Sequence, residues 1–174
     1  MTEPFVNKVA ESGIVSIDLE QFYPAGDVVT FDLKEHLFMG LILKEKEFRQ
    51  ALKELDLSAF QNKIVAVTCS ADAIIPMWAY MLVIVALKRV STSVMYGDAA
   101  TVIQKILIEN IRAIQPETYA DKRVVVKGCG EKKISEEAYL TITDKLLPYV
   151  QSIMYGEPCS TVPVYKRKTT TSGD

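Results

Sequence analysis

Phe60-Gln61-Asn62-Lys63-Ile64-Val65-Ala66-Val67, Ala79-Tyr80-Met81 and Ser93-Val94-Met95-Tyr96-Gly97-Asp98 return later in the chain. There they read Tyr119-Ala120-Asp121-Lys122-Arg123-Val124-Val125-Val126, Ala138-Tyr139-Leu140 and Ser152-Ile153-Met154-Tyr155-Gly156-Glu157. Lys63 to Lys122, Tyr80 to Tyr139 and Tyr96 to Tyr155 are the same step of 59 residues. One register shared by three separated matches marks an internal duplication.

Each copy reads as β-α-β. In the first, the β-branched run Ile64–Thr68 predicts a buried strand. Pro76 opens a helix to about Lys88, and Ser93–Tyr96 is the next strand, closed by Gly97-Asp98. In the second, Val124–Lys127 is a strand, and a helix opens at Ser135-Glu136-Glu137. Ser135 is the expected N-cap, and the two glutamates suit the positive helix end; Val150–Tyr155 completes the copy. A linking helix over Thr101–Ile111 carries Val102, Ile103, Ile106, Leu107 and Ile111 on one face.

Strands alternating with helices predict a parallel sheet with right-handed crossovers. The fold expected is therefore α/β: a three-layer Rossmann-like or flavodoxin-like parallel sheet built from an internal β-α-β repeat, with an N-terminal β/α extension. The expected organisation is one domain over residues 1–165. It comprises an extension (1–58), a first unit (59–118) and a second unit (119–165), followed by a disordered tail (166–174). Within the extension, Ile14–Leu19 and Val28–Leu33 read as strands of a hairpin across Tyr23-Pro24-Ala25-Gly26-Asp27. Lys44–Leu55 is amphipathic, with Phe48, Leu52 and Leu55 together.

The chain has 174 residues, 49% of them apolar, which suffices for one good core. The 22 acids and 20 bases nearly cancel, giving a net charge of −2, so no footprint for nucleic acid or anionic membrane is expected. No signal peptide is read at the N-terminus. The longest uncharged apolar run, Ala73–Leu87, is too short for a membrane span of about 20 residues and reads as a helix buried on a sheet. A soluble, cytoplasmic protein is expected. Its three cysteines are then reduced thiols, and no Cys-x-x-Cys occurs.

In open parallel sheets ligands bind beyond the carboxyl ends of the strands. Cys69, Ser70 and Asp72 follow the first strand, Gly128, Cys129, Gly130 and Glu131 the third, and Glu157, Pro158, Cys159 and Ser160 the fourth. One reading is a three-thiolate centre of Cys69, Cys129 and Cys159 for zinc or an iron–sulfur cluster, with Asp72, Glu131 or Glu157 flanking it or as fourth ligand. Against it, free cysteines are commonly buried as small apolar residues. Thiol chemistry without metal, as in sulfur transfer, would use Cys159 as the accessible nucleophile. A non-catalytic scaffold is the alternative of another class; it predicts an exposed apolar patch at that edge.

Other constellations are weaker. His36 is the only histidine, and no nucleophile elbow accompanies it. Gly128-Cys129-Gly130 is a fragment of a phosphate loop, without G-x-G-x-x-G or a P-loop. A protein partner and a homodimer are both compatible with so apolar a chain, with no interface identified.

Thr68-Cys69-Ser70-Ala71-Asp72-Ala73-Ile74-Ile75-Pro76-Met77-Trp78-Ala79-Tyr80, Lys127-Gly128-Cys129 and Ser152 through Pro163 resemble a bacterial domain-of-unknown-function family, the one numbered 2480. Val6-Asn7-Lys8-Val9 and Phe31-Asp32-Leu33-Lys34 fit it as well, so the likeness runs over nearly the whole chain. The resemblance implies no established activity. It places the three cysteine segments among the family's motifs, implies a link to iron–sulfur cluster assembly, and does not require histidine at position 36.

Overall fold

Ile64–Thr68 and Arg123–Lys127 are rich in β-branched residues, and their central positions are fully buried. A run apolar on both faces is stable only inside a sheet covered on both sides, and each forms the middle of its own sheet. The computed structural model describes residues 13–128, 130–157 and 159–168. In chain order the elements are β1 (Ile14–Asp18), β2 (Val28–Asp32), α1 (Glu45–Glu54), β3 (Ile64–Thr68), α2 (Met77–Leu87), β4 (Ser93–Tyr96), α3 (Ala99–Arg112), β5 (Arg123–Lys127), α4 (Glu136–Leu146), β6 (Ser152–Glu157) and β7 (Ser160–Lys166). Two compact units result: Met1–Tyr23 with Ile106–Asp174, and Pro24–Lys105.

In the unit Pro24–Lys105 the sheet order is β2-β3-β4, all parallel. Its core gathers Phe31 and Leu33, Phe48 from α1, Val65 and Val67 from β3, and Ala79, Val83 and Leu87 from α2. In the other unit the order is β1-β5-β6-β7, with β7 antiparallel to β6. Ile17, Val124, Val126, Ala138, Ile142, Leu146 and Ile153 make that core, with Leu107 and Ile111 from α3.

The step of 59 residues holds at atomic detail. Ile64 pairs with Ser93 as Arg123 pairs with Ser152. The left-handed residues Asn62 (φ 58°) and Asp121 (φ 57°) enter the two central strands. Their N–H groups donate to Val90 O at 2.8 Å and Tyr149 O at 2.9 Å. Ala79, Val83 and Leu87 are buried as Ala138, Ile142 and Leu146 are.

The α/β class and the parallel pairing agree with the sequence reading, but the strands divide between two sheets instead of forming one. Nor do β1 and β2 form a hairpin: β1 pairs parallel with β5, and β2 parallel with β3. β2 and β4 flank β3, and β1 and β6 flank β5, and among the described residues no strand pairing joins the two sheets. After Glu157, where the sequence reading placed no further strand, β7 begins at Ser160, which pairs with Glu157. Nor is the tail frayed from Lys166: β7 runs through it, and the Arg167 N–H donates to Gln151 O at 2.9 Å. Residues 169–174 of the expected tail lie outside the described residues.

Ser135 holds the N-cap position of α4, but its side chain makes no cap hydrogen bond, and Oγ is buried without a partner. Ser135→Ala should therefore not cost the roughly 1 kcal/mol of a lost cap. We expect an unchanged or higher urea midpoint; a drop of that size would restore the cap.

Candidate functional site

β1, β5 and β6 run parallel, so Asp18, Lys127 and Glu157 arrive together at their carboxyl ends. Lys127 Nζ lies 3.4 Å from Asp18 Oδ2 and 3.7 Å from Glu157 Oε1. The contact with Asp18, then the charge of Glu157, holds the ammonium above its ordinary range. An amine kept protonated between two carboxylates is neither nucleophile nor base. Asp18 also accepts from the Glu20 N–H at 3.0 Å, capping a 3-10 turn. Glu20 in turn accepts from the Lys132 N–H at 3.1 Å, and Tyr23 donates to Lys133 O. These bonds pin the loop after β5. Gly130 fits there because an added Cβ would stand 2.1 Å from Glu20 Oε1.

The unit Pro24–Lys105 repeats this edge with different chemistry. Asp32 at the end of β2 accepts from the N–H groups of Lys34 and Ser70, each at 3.0 Å. Burial works to raise its carboxyl. Bonds from the Ser70 hydroxyl and from the Lys34 and Ser70 backbone outweigh burial and leave it below the usual range. The Cys69 thiol, half-buried, donates to Ala71 O at 3.6 Å. Asp98 accepts from the Thr101 N–H at 2.7 Å at the start of α3.

Of the expected ligands, Cys69 and Asp72 belong to Pro24–Lys105; Glu131, Glu157 and the exposed Cys159 belong to the other unit. Cys129 lies outside the described residues. Glu157 is engaged with Lys127, while Asp72 and Glu131 are exposed. Among the described residues no three His, Cys, Asp or Glu side chains gather closely enough to hold a metal.

His36 is packed into an aromatic group, stacked on Phe31 (5.2 Å, 14°) and edge-on to Phe48 (5.2 Å). Burial, opposed weakly by Glu35, holds its pKa below the ordinary 6.5. The unfolded chain then takes up its proton first as pH falls, so stability drops from about pH 6.5 down to the native pKa and levels off below it. Relative to His36→Phe, which keeps a ring in the stack, the wild-type urea midpoint should fall between about pH 7.5 and 5.5. Parallel pH profiles for the two proteins would show that His36 does not titrate differently on folding.

The larger surface feature is apolar. α2 (Met-Trp-Ala-Tyr-Met-Leu-Val-Ile-Val-Ala-Leu) carries no charge. The expectation that it lies fully buried fails: Met77, Met81 and Val85 are 71%, 66% and 75% exposed, and Ile84 is also exposed. A helix apolar all round gives no periodicity to say which side is covered. Beside it, Val67, Tyr80, Met81, Ile84, Val94, Met95 and Tyr96 line a groove of about 250 Å³. Positions 59 further on (Val126, Tyr139, Leu140, Thr143, Ile153, Met154 and Tyr155) line one of about 760 Å³, joined by Val164 of β7. Tyr80 meets Tyr96 edge-on at 5.6 Å, as Tyr139 meets Tyr155 at 5.7 Å. Ile74 and the turn bearing Met39, Leu41 and Ile42 add exposed apolar side chains in the unit Pro24–Lys105.

Asp18, Asp32 and Lys127 carry no motif that marks them in the sequence beyond the pattern shared by Val15-Ser16-Ile17-Asp18-Leu19 and Val29-Thr30-Phe31-Asp32-Leu33. No helix is long and apolar enough to cross a membrane among the described residues. Comparison with curated proteins and with solved structures finds no match. The family model described as protein of unknown function (DUF2480) matches residues 3–167. That match spans both copies of the repeat and every strand and helix described above, and the chain therefore belongs to the DUF2480 family.

Proposed function

We propose that this protein is a non-catalytic binding module that docks another polypeptide through apolar side chains of its β-α-β halves. The observation that carries the reading is α2, an uncharged helix with Met77, Met81, Ile84 and Val85 open to solvent. Contiguous exposed apolar surface of this kind marks interaction sites in soluble proteins. The charged groups support it from the other side. Lys127 is shared between Asp18 and Glu157, and Asp32 and Asp98 cap turns and a helix, so each has a local structural task. Each half is read as a Rossmann-like β-α-β element, and the half that carries α2 turns that helix outward as docking surface.

The test is native affinity purification of the wild type, Val85→Glu and a Cys69→Ser/Cys129→Ser/Cys159→Ser variant. We expect a stoichiometric partner on the first and third, lost from Val85→Glu. Loss on cysteine replacement with Val85→Glu unaffected would overturn the reading.

A second reading keeps zinc or an iron–sulfur cluster on Cys69, Cys129 and Cys159. It is favoured by the position of Cys69 directly after β3 and of Cys159 two residues after β6, both following carboxyl ends of parallel strands. Metal and acid-labile sulfide content of anaerobically purified protein decides it. Stoichiometric metal lost in each single Cys→Ser variant supports a thiolate centre, and metal-free protein removes it.

A further inference from the structure

We infer that the groove beside α4 is a second docking site, and that its occupant is a basic amphipathic helix of another protein. All its lining residues fall between Val126 and Val164, so the site is separate from the α2 face. It takes a segment of different chemistry.

The groove is an open trough. Its lining comes from β5, β6, β7 and α4, yet Leu140 is 72% exposed, Val164 55%, Leu147 41% and Tyr155 39%. A small molecule is held by a cavity that buries most of its surface. Side chains left this open need a partner that brings its own apolar face, as a helix laid in a groove does. α4 has 11 residues, about 16 Å or three turns, enough to lie along such a helix.

Charge selects which helix. Glu136 and Asp144 are the charged residues lining the groove, and both are acidic. They stand eight residues apart on α4, about 12 Å along its axis, with Leu140 midway. The neighbouring Glu137 is taken by Arg112 at 3.6 Å, but among the described residues no ion pair or hydrogen bond engages Glu136 or Asp144. Helix stability accounts for Glu136 in the first turn. It does not account for Asp144 in the last, where the negative helix end disfavours a carboxylate. A partner helix with Lys or Arg at positions i and i+8, and leucine-like side chains between them, meets both acids and the apolar stripe together.

The repeat makes the same point by contrast. The positions 59 earlier are Met77 and Val85, and no charged residue lines the groove beside α2 among those described. A cation brought there would lose its hydration without gaining a partner. The two grooves therefore sort two kinds of segment, uncharged beside α2 and basic beside α4.

The experiment is fluorescence anisotropy of the full chain with a labelled, helix-stapled peptide whose docking face reads Lys-Leu-Ala-Ala-Leu-Leu-Ala-Ala-Lys. A second probe carries glutamate in place of both lysines. The proteins are the wild type, Leu140→Lys, Glu136→Gln/Asp144→Asn, Val85→Glu and, as a control for net charge, Asp27→Asn/Asp72→Asn. Every substituted side chain is exposed, so the fold is kept. We expect the lysine probe to bind the wild type at least about tenfold more tightly than the glutamate probe. Leu140→Lys should lose at least about tenfold in affinity. Glu136→Gln/Asp144→Asn should lose about three- to tenfold, together with most of the salt dependence. Val85→Glu and Asp27→Asn/Asp72→Asn should bind as the wild type does. A lysine probe that does not bind, or that ignores Leu140→Lys, overturns the site, as does equal binding of the two probes. An equal loss in Asp27→Asn/Asp72→Asn would reduce the attraction to net charge and overturn it too. A loss confined to Val85→Glu would move the segment to α2 and overturn the site beside α4. The α2 reading stands or falls separately, because there Val85→Glu is judged on the natural partner.

Discussion

Gly156→Ala should lower the stability of the chain by about 2–5 kcal/mol, combining backbone strain with a steric collision. Gly156 lies in β6 at φ +116°, where an added Cβ would stand 2.6 Å from the backbone oxygen of Ser160. The obstacle is the first residue of β7, tied to β6 through the Gly156–Thr161 pair, so relief requires the strand pairing to open. Gly97 is the equivalent residue in the other half, at φ +135°, and there the nearest atom is the side chain of Thr101 at 3.0 Å. Gly97→Ala should therefore cost less, since the strain is shared but the neighbour is a side chain. Urea unfolding followed by circular dichroism checks the pair. Equal losses would mean that the β6–β7 turn yields as easily as a rotamer.

Phe48→Ala should cost about 3–5 kcal/mol, the usual range for deleting a buried aromatic ring. Phe48 is almost completely buried at the centre of one core, edge-on to His36 and 6.2 Å from the Trp78 ring. Against a typical net stability of about 5–15 kcal/mol, this is a large fraction. Two signals should move with it. The near-ultraviolet dichroism of Trp78, the only tryptophan, should collapse, and the His36 pKa should rise toward 6.5 as water enters. A loss below about 1 kcal/mol would mean that the ring is not part of the core.

The repeat was legible because Lys63, Tyr80 and Tyr96 recur at one spacing, and the same spacing holds the strand register, the left-handed Asn62 and Asp121, and the tyrosine pairs. The partners of β1 and β2 were not legible. Parallel pairing joins Ile14 to Arg123 and Val28 to Ile64, and nothing local to either strand encodes a partner so distant. Chain proximity instead favoured a hairpin. Pro163 similarly disguised β7, although an edge strand tolerates proline.

The cysteines stand out in the sequence because thiols carry distinctive chemistry. The apolar groove does not stand out, because burial is the default for a run such as Met77–Leu87. Its hydrophobicity is uniform around the helix, so the uncovered side leaves no trace in the pattern. Comparison of the copies does carry the signal: Glu136, Thr143 and Asp144 of α4 stand where α2 has Met77, Ile84 and Val85.

The most direct test of the account is hydroxyl-radical oxidation of Met77 and Met81, measured in intact cells and on the same chain diluted to low nanomolar concentration. If the α2 face is a docking surface, both methionines oxidise several-fold more slowly in the cell than in the dilute chain. Equal rates in the two settings would leave the face bare where the protein works and contradict its role in binding.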